Sequence, residues 1–251
     1  MIVIDIGNTN VVIATFRNKK IKKIFRFDTK DKHIEKKLKY SFKLSKKLLL
    51  NIDSNKCIIS SVSPKLEKKV INFFKMLDFH IFNISLKNIP KKVKFNYIQS
   101  QLGADRIANT FAAINKYGKD SIVIDFGTAT TFDLISNYSY QGGLIAPGIM
   151  TSHDALVEQA AKLNKISIKK INKIIGNDTK SSMQIGFYWG YLNLINGITK
   201  KIIIEKKIKP KIILTGGLAD KFKDEIKFKT YHEPNLTLEG LYLIGQEKYE
   251  K

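Results

Sequence analysis

A chain of 251 residues with 43% hydrophobic content, 15 Phe and 10 Tyr carries apolar material for one large domain or for two of roughly 100–150 residues each, which excludes disorder as its main state. The formal charge of +22 raises the prospect of a nucleic-acid or anionic-surface partner. Its distribution argues against sequence-specific recognition, because lysines run from Lys19 to Lys251 while the only arginines, whose planar fork reads bases and clamps phosphates, are Arg17, Arg26 and Arg106.

The chain opens on Ile2-Val3-Ile4-Asp5-Ile6-Gly7-Asn8-Thr9-Asn10, an apolar run entering an Asp-x-Gly turn with small polar residues behind it. Val11–Phe16 continues as a strand, Asn18-Lys19 turns a hairpin, and Ile21–Phe27 alternates apolar with basic residues as a half-exposed strand does. Asp31–Leu50 has Ile34, Leu38, Phe42, Leu44 and Leu48 at helical spacing. Cys57–Val62 reads as a buried strand, Pro64 opens a helix to about Leu77, and Phe79–Ile84 is the next strand. Gly103-Ala104-Asp105-Arg106 starts a helix that Gly118 ends.

Ile122-Val123-Ile124-Asp125-Phe126-Gly127-Thr128-Ala129-Thr130 then repeats the opening at an offset of 120 (125 − 5). Strands Thr131–Ile135 and Tyr140–Ala146 follow about an Asn137-Tyr138 turn, then helices at Thr151–Leu163 and Thr179–Glu205. Strand Lys211–Thr215 runs into Gly216-Gly217, with helices Ala219–Ile226 and Leu238–Tyr249 last. Strands alternating with helices argue an α/β fold, and the half-chain repeat argues two related halves, 1–110 and 111–251.

A buried strand running into a turn of Gly, Thr and Asn places N–H groups and hydroxyls where phosphate oxygens can be held, with a strand-end carboxylate free to hold a cation. An isolated Asp-x-Gly is an ordinary turn. Two copies at half-chain spacing favour a nucleotide held between two halves. The lone Cys57 suits a reducing cytoplasm, and no apolar run approaches membrane-spanning length. His33, His80, His153 and His232 lack metal-ligand spacing.

Asp5-Ile6-Gly7-Asn8-Thr9, Gly103-Ala104-Asp105-Arg106, Asp125-Phe126-Gly127-Thr128-Ala129, Gly142-Gly143-Leu144-Ile145-Ala146-Pro147-Gly148 and Thr215-Gly216-Gly217, in this order and spacing, resemble the type III pantothenate kinases, a branch of the actin-like, sugar-kinase and heat-shock ATPase superfamily. The resemblance implies two ribonuclease H-like halves, mixed sheets flanked by helices, with the nucleotide in the cleft. It implies ATP-dependent phosphorylation of pantothenate to 4′-phosphopantothenate, the first step of coenzyme A biosynthesis.

On the same resemblance Asp5, Ile6, Gly7, Asn8, Thr9, Asn10, Val11, Val12 and Thr128 bind ATP, Asp5 organises Mg²⁺, and Asp125 binds a monovalent cation, K⁺ or NH₄⁺. Asp105 accepts the proton of the pantothenate hydroxyl. Tyr97, Gly103, Ala104, Asp105, Arg106 and Thr179 form the pantothenate site, Thr179 being contributed across a homodimer. Arg106 has a physical case of its own, since a guanidinium binds a carboxylate through two parallel N–H···O bonds that Lys cannot reproduce. Asp105 at a helix start is also favoured by the helix dipole alone, and Thr179 is also a plausible N-cap. The segment Tyr97–Leu102 lacks the Pro usual in the family and is one residue short. Phe187, Tyr188, Trp189, Tyr191 and Leu194 serve either a dimer interface or the core. A nucleotide-binding transcriptional accessory protein without kinase activity is the alternative; the intact Asp105 and Arg106 favour the enzyme.

Overall fold

Buried β-branched runs set the strands, and the turns between them follow from residues that tolerate unusual backbone. The computed structural model describes residues 1–48, 55–98 and 100–249, so residues 49–50 of the expected first helix, and Gln99 beside Tyr97, lie outside the described residues. Two units divide the chain: Met1–Lys116 with Asn235–Lys251, and Tyr117–Pro234.

In the first unit β1 (Ile2–Ile6), β2 (Asn10–Arg17), β3 (Lys20–Asp28), β4 (Lys56–Ser61) and β5 (His80–Asn83) form a sheet of order β3-β2-β1-β4-β5. β1, β2 and β3 pair antiparallel, whereas β4 and β5 run parallel to β1. Helices α1 (Ile34–Leu48) and α2 (Pro64–Lys75) supply Leu38, Leu66, Val70, Phe73 and Phe74 to its core. A two-residue strand, β6 (Lys94–Phe95), precedes α3 (Ala104–Tyr117).

In the second unit β7 (Ser121–Phe126), β8 (Ala129–Ser136), β9 (Ser139–Pro147), β10 (Lys211–Thr215) and β11 (Thr230–His232) run in the order β9-β8-β7-β10-β11, with the same antiparallel and parallel pairings. The plan of the first sheet is thus repeated strand for strand. Helices α4 (Ile149–Gln159) and α5 (Thr179–Lys206) follow β9, and α6 (Leu236–Tyr249) closes the chain.

The repeat reaches into detail. Both hairpin turns, Asn18-Lys19 and Asn137-Tyr138, have two consecutive positive φ angles (51° and 62°; 51° and 58°), the type I′ geometry that matches strand twist. Each is followed by a one-residue bulge, with Lys22 left over where Thr15 pairs with Lys23 and Phe16 with Ile21, and Gln141 left over where Leu134 pairs with Gly142 and Ile135 with Tyr140. These features recur at 119 (137 − 18 and 141 − 22), one less than the spacing of the two Asp-x-Gly sites.

Three expectations need correction. The stretch Ala219–Ile226 forms only a 3-10 turn, Ala219–Lys221, and the helix expected at Thr151–Leu163 runs Ile149–Gln159. Strand β11 was not anticipated, since Thr230–His232 is too short for a periodicity. The expected halves 1–110 and 111–251 differ from the observed units in residues 111–116 of α3, which stay with the first unit, and in α6, which joins it and packs on β1 and β4. There Tyr242 stacks on Phe16 at 4.4 Å, and Gly240 lies so close to α3 that an added Cβ would stand 1.9 Å from the Ala108 carbonyl oxygen.

Candidate active site

Each unit ends its central strand in a glycine turn. In the first, Asp5 pairs with Val12 and Ile6 with Val11, and the turn is closed by the Gly7 N–H donating to the Asn10 carbonyl at 2.9 Å. In the second, Asp125 pairs with Thr131 and Phe126 with Thr130, and Gly127 N–H donates to the Ala129 carbonyl at 3.1 Å. The first turn therefore holds one residue more. That insertion resets the repeat from 120 to 119 and makes Thr9, not Asn8, the counterpart of Thr128 (128 − 9). Asn8, Thr9 and Thr128 are exposed.

Both turns are held from behind. Thr29, the residue after β3, donates its N–H to the Thr9 carbonyl at 2.8 Å and its hydroxyl to the Gly7 carbonyl at 3.0 Å. At the equivalent place after β9, the Gly148 N–H donates to the Thr128 carbonyl at 3.1 Å, and the hydroxyl of Thr151, in the first turn of α4, donates to the same oxygen at 2.6 Å. A side chain at Gly148 is impossible without movement, because a Cβ would lie 2.4 Å from the Thr128 oxygen and 2.5 Å from that of Gly127. Sequence reasoning missed these supports, although the matching Asn18-Lys19 and Asn137-Tyr138 turns carry the signal that would align them.

The two strand-end carboxylates, Asp5 and Asp125, are half-buried. Beside Asp125, Gly216 adopts φ +89° and packs so tightly that an added Cβ would stand 2.5 Å from Asp125 Oδ1, 2.6 Å from the Phe126 nitrogen and 2.7 Å from its carbonyl oxygen. Thr215 pairs with Asp125 on the neighbouring strand.

In the first unit Val62 N–H donates to the Ile6 carbonyl at 3.0 Å, and Val62 Cγ1 stands 4.0 Å from the absent Cβ of Gly103. The glycine turn and the start of α3 therefore share one end of the sheet. Asp105 Oδ1 accepts the Arg106 N–H at 2.9 Å and occupies the space a side chain at position 103 would need, with a built Cβ only 2.4 Å away. Burial pushes the Asp105 carboxyl above the ordinary carboxylate range; the Arg106 N–H and guanidinium pull the other way without cancelling it. Arg106 is buried, with its guanidinium carbon 5.9 Å from the centre of the Tyr97 ring. Tyr97, Gly103, Asp105 and Arg106 are thus gathered in one place despite the altered segment between them.

Thr179 is exposed at the first position of α5, and it is not the N-cap: Asp178 takes that role by accepting the Ser181 N–H at 2.9 Å. Of the aromatic stripe on α5, Tyr188 and Tyr191 are buried in the second unit's core, and Phe187, Trp189 and Leu194 pack against it. Tyr191 also hydrogen-bonds Thr130. Among the described residues, no group of three or more His, Cys, Asp or Glu is placed to hold a metal, and no helix is long and apolar enough to cross a membrane.

A family model for type III pantothenate kinase matches residues 1–201. The chain is 40% identical over 249 residues to the type III pantothenate kinase of Pelagibacter ubique (strain HTCC1062), with 96% of each covered. Among solved structures it is similar to a Campylobacter jejuni protein proposed to be a Baf family transcriptional activator, at 21% identity and TM-score 0.61 over the whole of both chains. It is also similar to ADP-bound MreB5 of Spiroplasma citri, at 15% identity and TM-score 0.52 over 100% of this chain and 98% of that one. These structural likenesses concern the fold alone.

Proposed function

Because the chain belongs to the type III pantothenate kinase family, and is therefore a kinase that phosphorylates pantothenate in coenzyme A biosynthesis, we propose that Asp105 is the base of this reaction. The observation that carries the assignment is its setting. A carboxylate with a raised pKa, fixed in direction by the Arg106 N–H, is a better proton acceptor than a solvated one. Arg106 and Tyr97, packed ring to guanidinium, together with Gly103 and Ala104, take pantothenate beside it.

Residues 5–12 and Thr128 hold the ATP phosphates, the turn N–H groups and the Thr9 and Thr128 hydroxyls acting as donors. Asp5 is a single carboxylate at a strand end. That suits Mg²⁺, which takes most of its oxygens from phosphates and water and needs no protein cage. When bound, Mg²⁺ offsets the phosphate charge. Asp125, a half-buried carboxylate at the strand end beside the second turn, takes a monovalent cation such as K⁺ or NH₄⁺.

The active unit is a homodimer to which Thr179, exposed at the start of α5, contributes. Of the α5 aromatics, Tyr188 and Tyr191 are committed to the core. The protein works in the cytoplasm, in keeping with a single buried thiol that burial keeps protonated and inert.

The test is purified protein with ATP, Mg²⁺, K⁺ and pantothenate, followed by detection of phosphopantothenate, with Asp105→Asn alongside. The amide keeps the shape and can still accept the Arg106 N–H, but it cannot take the proton. Turnover is expected to fall on the order of 10²–10⁴-fold with ATP binding intact. Activity within a few-fold of wild type removes Asp105 from the mechanism.

A further inference from the structure

We infer that Thr29 and Thr151 are positioning residues for ATP, each bracing one of the two phosphate turns through its hydroxyl; this rests on the reading of those turns as the ATP site. The two threonines are 122 positions apart (151 − 29), so neither the 120 nor the 119 spacing pairs them. Each braces its turn, but at a different carbonyl: Gly7 in the first, and Thr128, the counterpart of Thr9, in the second. Thr29 follows β3 directly, and with the longer first turn there is room for its side chain, so one residue supplies both the N–H to Thr9 and the hydroxyl to Gly7. In the second unit the shorter turn presses the Thr128 and Gly127 carbonyls against position 148, which only glycine can occupy. The N–H comes from Gly148, and Thr151 supplies a hydroxyl to the same Thr128 carbonyl.

A peptide unit is rigid and trans, so fixing a carbonyl also fixes the N–H of the following residue, which points the opposite way. Holding the Gly7 carbonyl aims the Asn8 N–H away from Thr29, and holding the Thr128 carbonyl aims the Ala129 N–H away from Gly148 and Thr151. On the reading of these turns as the ATP site, these N–H groups are donors to its phosphates. A donor already aimed needs no reorganisation when charge arrives. Without the hydroxyl, each turn keeps its backbone N–H bond and its fold, but the peptide gains freedom to rock.

The experiment compares Thr29→Val and Thr151→Val, which keep shape and lose the hydroxyl, with Thr29→Ser and Thr151→Ser, which keep it. MgATP affinity is measured by calorimetry, the KM values for ATP and pantothenate by turnover, and the melting temperature on each protein. Each valine variant is expected to weaken MgATP binding about 3- to 10-fold, the size of one ordinary hydrogen bond. The pantothenate KM should move less than about twofold, and serine should restore ATP affinity. Wild-type ATP affinity in both valine variants overturns the inference. So does a parallel rise of both KM values with a lowered melting temperature that serine fails to rescue, since that marks general loosening. Calorimetry reports the braces whether or not pantothenate is the acceptor, and wild-type turnover alone tests the acceptor, so the two readings fail separately.

Discussion

Gly103→Ala separates catalysis from folding. Gly103 does not sit in the left-handed region, so its backbone accepts alanine, and a Gly→Ala change at a compatible site adds about 0.4–1 kcal/mol of stability through the unfolded chain. The new Cβ, however, lies 2.4 Å from Asp105 Oδ1. Ordinary contact begins at roughly 3.5 Å, so the carboxylate has to retreat by about 1 Å. Asp has a short side chain and can swing, at a rotamer cost of about 0.5–1.5 kcal/mol that cancels most of the gain. What it cannot keep is its direction, because the 2.9 Å bond from the Arg106 N–H holds its Oδ1 within clashing distance of the new Cβ. Displacing a catalytic group by about 1 Å costs on the order of 10²-fold in rate. Steady-state kinetics with pantothenate, calorimetry with MgATP and urea unfolding should therefore show kcat down about 10²-fold, ATP affinity unchanged and stability within about 1 kcal/mol of wild type. A kcat within threefold of wild type would refute the placement of Asp105 as the base. A matching loss of stability would assign the effect to folding.

The acid limb of the pH–rate profile should lie above the ordinary Asp value of about 3.9, because burial raises the Asp105 pKa and activity is lost as pH falls through that raised value. Its effect on stability has the opposite sign: the folded state holds the proton more tightly, so this group's contribution falls as pH rises from the ordinary value to the raised one. Arg106→Met, which removes a charge that lowers the Asp105 pKa, should push the limb further up and weaken pantothenate more than ATP; an unmoved limb would remove the coupling. Turnover should require K⁺ or NH₄⁺, and Asp125→Ala should abolish that dependence together with most activity; full wild-type rates in a Na⁺-only buffer would contradict it. Gly240→Ala, whose Cβ would stand 1.9 Å from the Ala108 oxygen, should force α6 off α3 and cost about 1–3 kcal/mol or more in urea unfolding, whereas a change under about 0.5 kcal/mol would show that the helices yield without strain.

Local chemistry was legible in the sequence because it is written in adjacent residues. The Asp-x-Gly turns, the Asn18-Lys19 and Asn137-Tyr138 hairpins, the Pro64 helix start and the Gly103–Arg106 motif each depend on backbone preferences within a few positions, and each appears where it was read. Repetition at half-chain spacing carried the two-sheet plan. Tertiary structure decided what depends on partners far along the chain. The extra residue in the first turn makes Thr9 the counterpart of Thr128, visible only once the strand registers are known. Helix α6 joins the first unit because Gly240 and Tyr242 find Ala108 and Phe16, more than a hundred positions away. Asp178 rather than Thr179 caps α5, since capping depends on which side chain reaches the Ser181 N–H. The braces at Thr29 and Thr151 leave no shared spacing because they reach different carbonyls, Gly7 and Thr128, from different elements: which hydroxyl meets which carbonyl is set in space and not along the chain.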